Sequence, residues 1–138
     1  MKILVINLMI LLVTIGCTSN KKAVNPENKI KIALGETITI ENHQLKFVKV
    51  LEDSRCPKEV TCIWAGRAKV QVEVWKNGEN SIIKELIFGQ VNQGESKDLT
   101  LFTSEEKIVK GYALEPYPSS EVSSDKREYV LLILEEKQ

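Results

Sequence analysis

Few side chains in this sequence are equipped for covalent or metal chemistry: Cys17, Cys56, Cys62 and a single histidine, His43. Cys56 and Cys62 have five residues between them within the densest stretch of the chain, residues 53–66, which reads D-S-R-C-P-K-E-V-T-C-I-W-A-G. Two cysteines this close in an exported chain can close a short disulfide loop. A loop of about seven residues would contribute roughly 2.4 kcal/mol in the chain-entropy treatment. Pro57 inside it further limits the freedom of the unfolded loop. A redox-active pair usually has the spacing Cys-x-x-Cys at a helix N-terminus, where the dipole lowers a thiol pKa. The wider spacing and a β context fit that chemistry poorly. A structural zinc needs three or four ligands, and His43 alone leaves the count short, so no metal or cofactor is expected. His43 reads as a turn residue.

Catalytic constellations are missing as well. His43 has no serine or cysteine partner at a recognisable spacing, and no glycine-rich phosphate loop occurs. Pairs of carboxylates are inevitable among 19 Asp and Glu residues and identify no acid–base couple. The chain is therefore not expected to be an enzyme. The 19 Lys and Arg residues balance the acids and are interleaved with them, as on a solvated surface. A nucleic-acid binder would show a basic excess or stripe, so no nucleic-acid partner is expected.

The candidate binding surface is Arg55, Trp64 and Tyr117. Arg55, two residues after Asp53, can form a local ion pair that fixes the loop, or contact a carboxylate or a sugar. The pair would be worth little if exposed. Trp64, two residues after Cys62, can stack on a ligand or bury itself against the disulfide. Burial is the expectation, with Val60, Ile63 and Trp64 inside and Arg55, Lys58 and Glu59 reaching water. Tyr112, Tyr117 and Tyr129 are open to either role.

Cys17 belongs to a different feature. After Met1-Lys2, residues 3–15 are apolar except for Asn7 and Thr14. Thirteen residues rise about 20 Å as a helix, short of the roughly 30 Å hydrocarbon core, which fits a signal peptide over residues 1–16 rather than a membrane span. The segment Thr14-Ile15-Gly16-Cys17 resembles the lipobox of bacterial lipoproteins, although Thr14 stands where that family most often has leucine. The resemblance implies a mature N-terminus at Cys17 carrying acyl chains, several of which anchor stably where one would not. Residues 18–29, almost devoid of apolar side chains, then read as a flexible tether completing the segment 17–29.

The stretch 53–66 is itself similar to a signature, D-S-R-C-P-x4-C-x-W-x-G, of a family of small bacterial lipoproteins and secreted proteins. Gly111-Tyr112 through Pro116-Tyr117-Pro118, followed by an apolar last strand, is similar to that family's C-terminal half. The resemblance covers roughly residues 29–135. It implies an all-β domain with Cys56 paired to Cys62, and no particular activity.

The elements that must position these residues follow from period-two alternation. Ile30, Ile32 and Leu34 alternate with other residues, as do Ile38 and Ile40, and Asn42-His43 reads as a turn. In 45–51 the apolar phase slips between Phe47 and Val48, which predicts a bulge or a doubly buried strand. Residues 68–74 place Ala68, Val70, Val72 and Val74 on one face, leaving Trp75 on the other, and Asn77-Gly78 is a strong hairpin signal before 82–88. Short strands follow at Leu99 and Leu101 and at 108–114. Residues 129–134 are apolar throughout, as in a central strand covered on both faces. Seven or eight short strands without an amphipathic helix predict a small antiparallel β-sandwich, or a barrel-like variant, over 30–138.

The expected protein is thus a binding or structural module of the cell envelope, lipid-anchored to a membrane with its domain outside the cytoplasm. An envelope protein or a glycan is its expected partner. A secreted enzyme inhibitor, or an enzyme with an unrecognised site, is the alternative. Labelled palmitate should mark the wild-type protein and leave Cys17→Ser unlabelled. A mature protein that starts elsewhere and carries no fatty acid by mass would remove the anchor.

Overall fold

The computed structural model describes residues 29–138; the leader, Cys17 and nearly all of the tether lie outside the described residues. Eight strands follow one another: β1 (Lys29–Ala33), β2 (Thr37–Ile40), β3 (His43–Asp53), β4 (Arg67–Lys76), β5 (Ile82–Gly89), β6 (Thr100–Thr103), β7 (Lys107–Glu115) and β8 (Val130–Lys137), with the longest connections between β3 and β4 and between β7 and β8. They form two four-stranded antiparallel sheets, ordered β1-β8-β7-β6 and β2-β3-β4-β5. The sheets face each other as a small β-sandwich that does not close into a barrel. Among the described residues, the one helical element is a 3-10 turn, Ser124–Lys126, before β8.

Alternation does the work anticipated for it. In β4, Ala68, Val70, Val72 and Val74 are buried, while the intervening side chains and Trp75 are half-buried on the opposite face. They meet Leu86 of β5, Leu45 and Phe47 of β3, and, from the second sheet, Ile32, Val109, Leu114, Leu131 and Ile133 in one core. β8 lies between β1 and β7, and its apolar run is buried on both faces. Leu131 and Ile133 enter the core. Leu132 and Leu134 lie on the outer face, where their cross-strand neighbours Lys29, Lys31 and Lys110 can shelter them with aliphatic stems.

The phase slip in β3 resolves into two register shifts against β4, one between Phe47 and Lys49 and one between Val50 and Glu52. The first turns Val50 toward the core and leaves Lys49 exposed; the second restores the original phase. Asp53 therefore pairs with Ala68, an inward-facing position, and its carboxylate enters the end of the sandwich. A charged residue arrives inside because two bulges cancel.

His43 corrects the turn assigned to it. The β2–β3 turn falls at Glu41-Asn42, with Glu41 at φ 55°, and His43 opens β3 with its ring stacked on Phe102, centroids 4.0 Å apart. The turn lies one residue earlier than expected, which frees His43 for an aromatic contact between the sheets.

Gly111 marks a close approach of the sheets. A Cβ there would lie 2.6 Å from Leu86 Cδ1 and 3.1 Å from Phe88 Cζ, both on the opposite sheet. Gly111→Ala is expected to cost about 1–3 kcal/mol by overpacking, read as a lower urea midpoint with an unchanged slope.

Candidate functional site

The site grows out of the ladder between β3 and β4, which does not stop at the strand ends. Ser54 N–H donates to Arg67 O (2.8 Å), and Cys56 N–H donates to Ala65 O (3.1 Å). Gly66 sits at φ +69°, and a Cβ there would fall 1.8 Å from Ser54 O, so the two chain segments approach as only a glycine allows. Beyond this neck the chain closes on itself through the Cys56–Cys62 disulfide, with a Cα–Cα distance of 5.9 Å. The pairing is the one expected.

Beneath the neck lies a charge cluster. Arg55 clamps Asp53 with two hydrogen bonds, Nε to Oδ1 at 2.7 Å and Nη2 to Oδ2 at 2.8 Å. Its Nη1 donates to Leu114 O (2.6 Å) and Nη2 also donates to Pro116 O (3.1 Å), fastening the motif to the end of β7. Asp53 Oδ2 accepts further from Tyr129 Oη (3.0 Å) and Arg127 Nη1 (3.2 Å), both at the entry to β8. The Asp53 side chain is only 3% exposed and those of Arg55 and Arg127 8% and 9%, so these bonds form with little water to compete. Burial works against the charge on Asp53, yet the hydrogen bonds and charge of Arg55, with help from Tyr129, hold its carboxyl below the usual carboxylate range. Burial, together with the adjoining Asp53, pushes the Tyr129 phenol up, which keeps it a donor.

The disulfide loop is also tied sideways. Lys58 N–H donates to Pro118 O (3.2 Å), and the Glu59 carboxylate accepts from Ser119 Oγ (2.9 Å) and Ser120 N–H (3.0 Å). These bonds, the Ser120 N–H first among them, hold the Glu59 carboxyl below its ordinary value. The Tyr117 ring lies 5.0 Å from the Arg55 guanidinium and 5.9 Å from the Lys58 ammonium, within cation–π range.

Lys58 and Glu59 face water as expected, but the burial of the other motif side chains is reversed. Trp64 does not pack on the disulfide: it is 73% exposed, beside Ile63 at 94% and Val60 at 49%. Arg55, expected in water, is the buried member. The inversion has a physical cause, because the clamp, the neck and the disulfide hold the loop through polar and covalent links. No apolar anchor is then required of its side chains.

The candidate surface Arg55, Trp64 and Tyr117 is accordingly split. Arg55 and Tyr117 line a cleft of about 1010 Å³ bounded by the loop, the segment 116–128 and the ends of β5 and β7. Trp64 lines a separate pocket of about 220 Å³ with Glu52, Ser54, Arg67, Gln90 and Asn92. Arg127 and Lys126 carry no signal in the sequence, and Tyr129 is open there to either role. They join the site from more than sixty residues away in the chain, with no spacing to announce them. Among the described residues, no three His, Cys, Asp or Glu side chains converge to hold a metal.

Asp53→Asn would leave two buried guanidiniums without their counter-charge, and Arg55→Ala would leave Asp53 with less of its own. Each is expected to cost about 3–5 kcal/mol, where an exposed Arg55 would have been near neutral. Because the folded-state pKa of Asp53 is depressed, its contribution is complete above the ordinary value of about 3.9 and is lost as pH falls through the folded value. The stability gap between wild type and Asp53→Asn, from denaturant melts, should be constant near neutrality and close below about pH 3.9.

The chain matches no family model, no curated protein and no solved structure, so what the site can do rests on its own geometry.

Proposed function

We propose that the protein is a binding module of the cell envelope, anchored by a lipid on Cys17, whose disulfide loop docks an apolar tip onto a partner protein. The observation that carries this reading is the exposure of Ile63 and Trp64 on a loop whose backbone is held from below and from the side. Leaving large apolar side chains in water is costly unless something covers them, and a buried tryptophan is the commonest energetic centre of a protein interface. A pre-ordered loop loses little conformational entropy on docking, so more of the contact energy appears as affinity. The same geometry suits an inhibitor that inserts a rigid loop into an enzyme, which makes an enzyme one kind of partner rather than a rival role. The tether, ending where β1 begins at Lys29, would give the domain reach from the membrane surface.

A glycan is the second reading, favoured by one observation. The pocket beside Trp64 is lined by a carboxylate, a hydroxyl, a guanidinium and amides, a mixture of donors and acceptors suited to sugar hydroxyls. The fully exposed Ile63 and half-exposed Val60 have no use in that role and tip the balance to protein.

Trp64→Ala combined with Ile63→Ser should melt within about 2 °C of wild type, since neither side chain is buried. Cross-linking in intact cells should give a defined protein adduct with wild type that the double variant loses. A marked fall in melting temperature, or an undiminished adduct, would place docking elsewhere; loss of binding to glycan arrays instead would give the surface to a sugar.

A further inference from the structure

The large cleft poses a separate problem of charge. Asp53 is one carboxylate, yet two buried guanidiniums, Arg55 and Arg127, converge on it. Arg55 satisfies its donors on Asp53 and on the carbonyls of Leu114 and Pro116. Arg127 does not: its Nη groups reach Asp53, Tyr129 and Val122 O, but its Nε is buried with no hydrogen-bond partner. A buried charge without full compensation is expensive, and so is an unmet buried donor. Both deficits sit in the wall of the same cleft.

The rim adds to the excess. Lys58 and Lys126 line the cleft and form no ion pair among the described residues. Glu115 and Glu128 line it too, and neither comes within ion-pair distance of a cation among the described residues. With Asp53 beneath, four cations stand against three acids, so the cleft keeps a net positive charge. The lining also includes the apolar and aromatic side chains of Phe88, Tyr112, Tyr117 and Val122. A concave, largely apolar site with a few convergent charges is the usual form of a small-molecule site, and about 1010 Å³ is ample for one.

We infer that this cleft binds a small anion, a carboxylate or phosphate ester carried on an apolar or aromatic body. The anionic group pairs with Lys58 and Lys126 above the buried guanidinium pair, and the body lies against Tyr117 and Phe88. Ile63 and Trp64 do not line the cleft, so this site stands or falls independently of the loop tip.

Titrating the 15N-labelled domain with 4-phenylbutyrate and with phenyl phosphate tests the assignment, and the two probes separate carboxylate from phosphate preference. Saturable shifts should centre on Lys58, Tyr117 and Lys126 for at least one of them. The uncharged isostere 4-phenylbutanol should bind at least about tenfold more weakly. Lys58→Glu with Lys126→Glu should weaken the anion about tenfold or more while leaving the melting temperature unchanged, because both ammonium groups are exposed and unpaired. Equal affinity for alcohol and anion, shifts centred on Ile63 and Trp64, indifference to the double charge reversal, or no saturable shift with either anion would each overturn it.

Discussion

One carboxylate holds the functional end of this molecule together. Asp53 reaches out of the β3 ladder into the sandwich and receives Arg55 from its own loop, and Arg127 and Tyr129 from the approach to β8. Through Arg55 it also touches the end of β7 by way of the Leu114 and Pro116 carbonyls. Three segments distant in sequence are thereby referred to a single pair of oxygens. Apolar contacts could hold the same segments near one another, but they are non-directional. The bidentate clamp sets orientation as well as distance, which a displayed loop requires.

The hub explains how a domain of modest size supports both a projecting loop and an open cleft. Most core side chains lie between the sheets, and few are left for the end where the loop and the 116–128 segment meet. There the chain substitutes directional links for buried area: the clamp, the disulfide, the Gly66 neck and the Glu59 bonds to Ser119 and Ser120. The apolar residues of the loop are released from structural duty and can face outward.

The sheets were legible because alternation reports burial directly, and β4 and β8 could be read at sight as a half-buried strand and a doubly covered one. The disulfide was legible from the close spacing of Cys56 and Cys62. The site was less so. Asp53 and Arg55 read as a surface pair, since two residues of separation says nothing about depth; depth came from the cancelling bulges in β3 and from Arg127 and Tyr129 far along the chain. Trp64 was placed inside because an indole near a disulfide is usually core. That rule assumes the loop needs an apolar anchor, and here polar links remove the need. His43 was misread by a single position, the margin at which a turn and a strand start are hardest to tell apart.

The paired bulges of β3 bear on how this strand can change in length. Each shifts the side-chain phase by one, so only their combination delivers Asp53 to the inner face. Removing or adding a single residue between Val48 and Leu51 would rotate everything beyond it by half a period, carrying Asp53 to the solvent side and away from Arg127 and Tyr129. Two such changes together would restore the phase. This short stretch of backbone therefore behaves as a parity element: the evenness of its residue count, more than the identity of its side chains, keeps the loop attached to the sandwich.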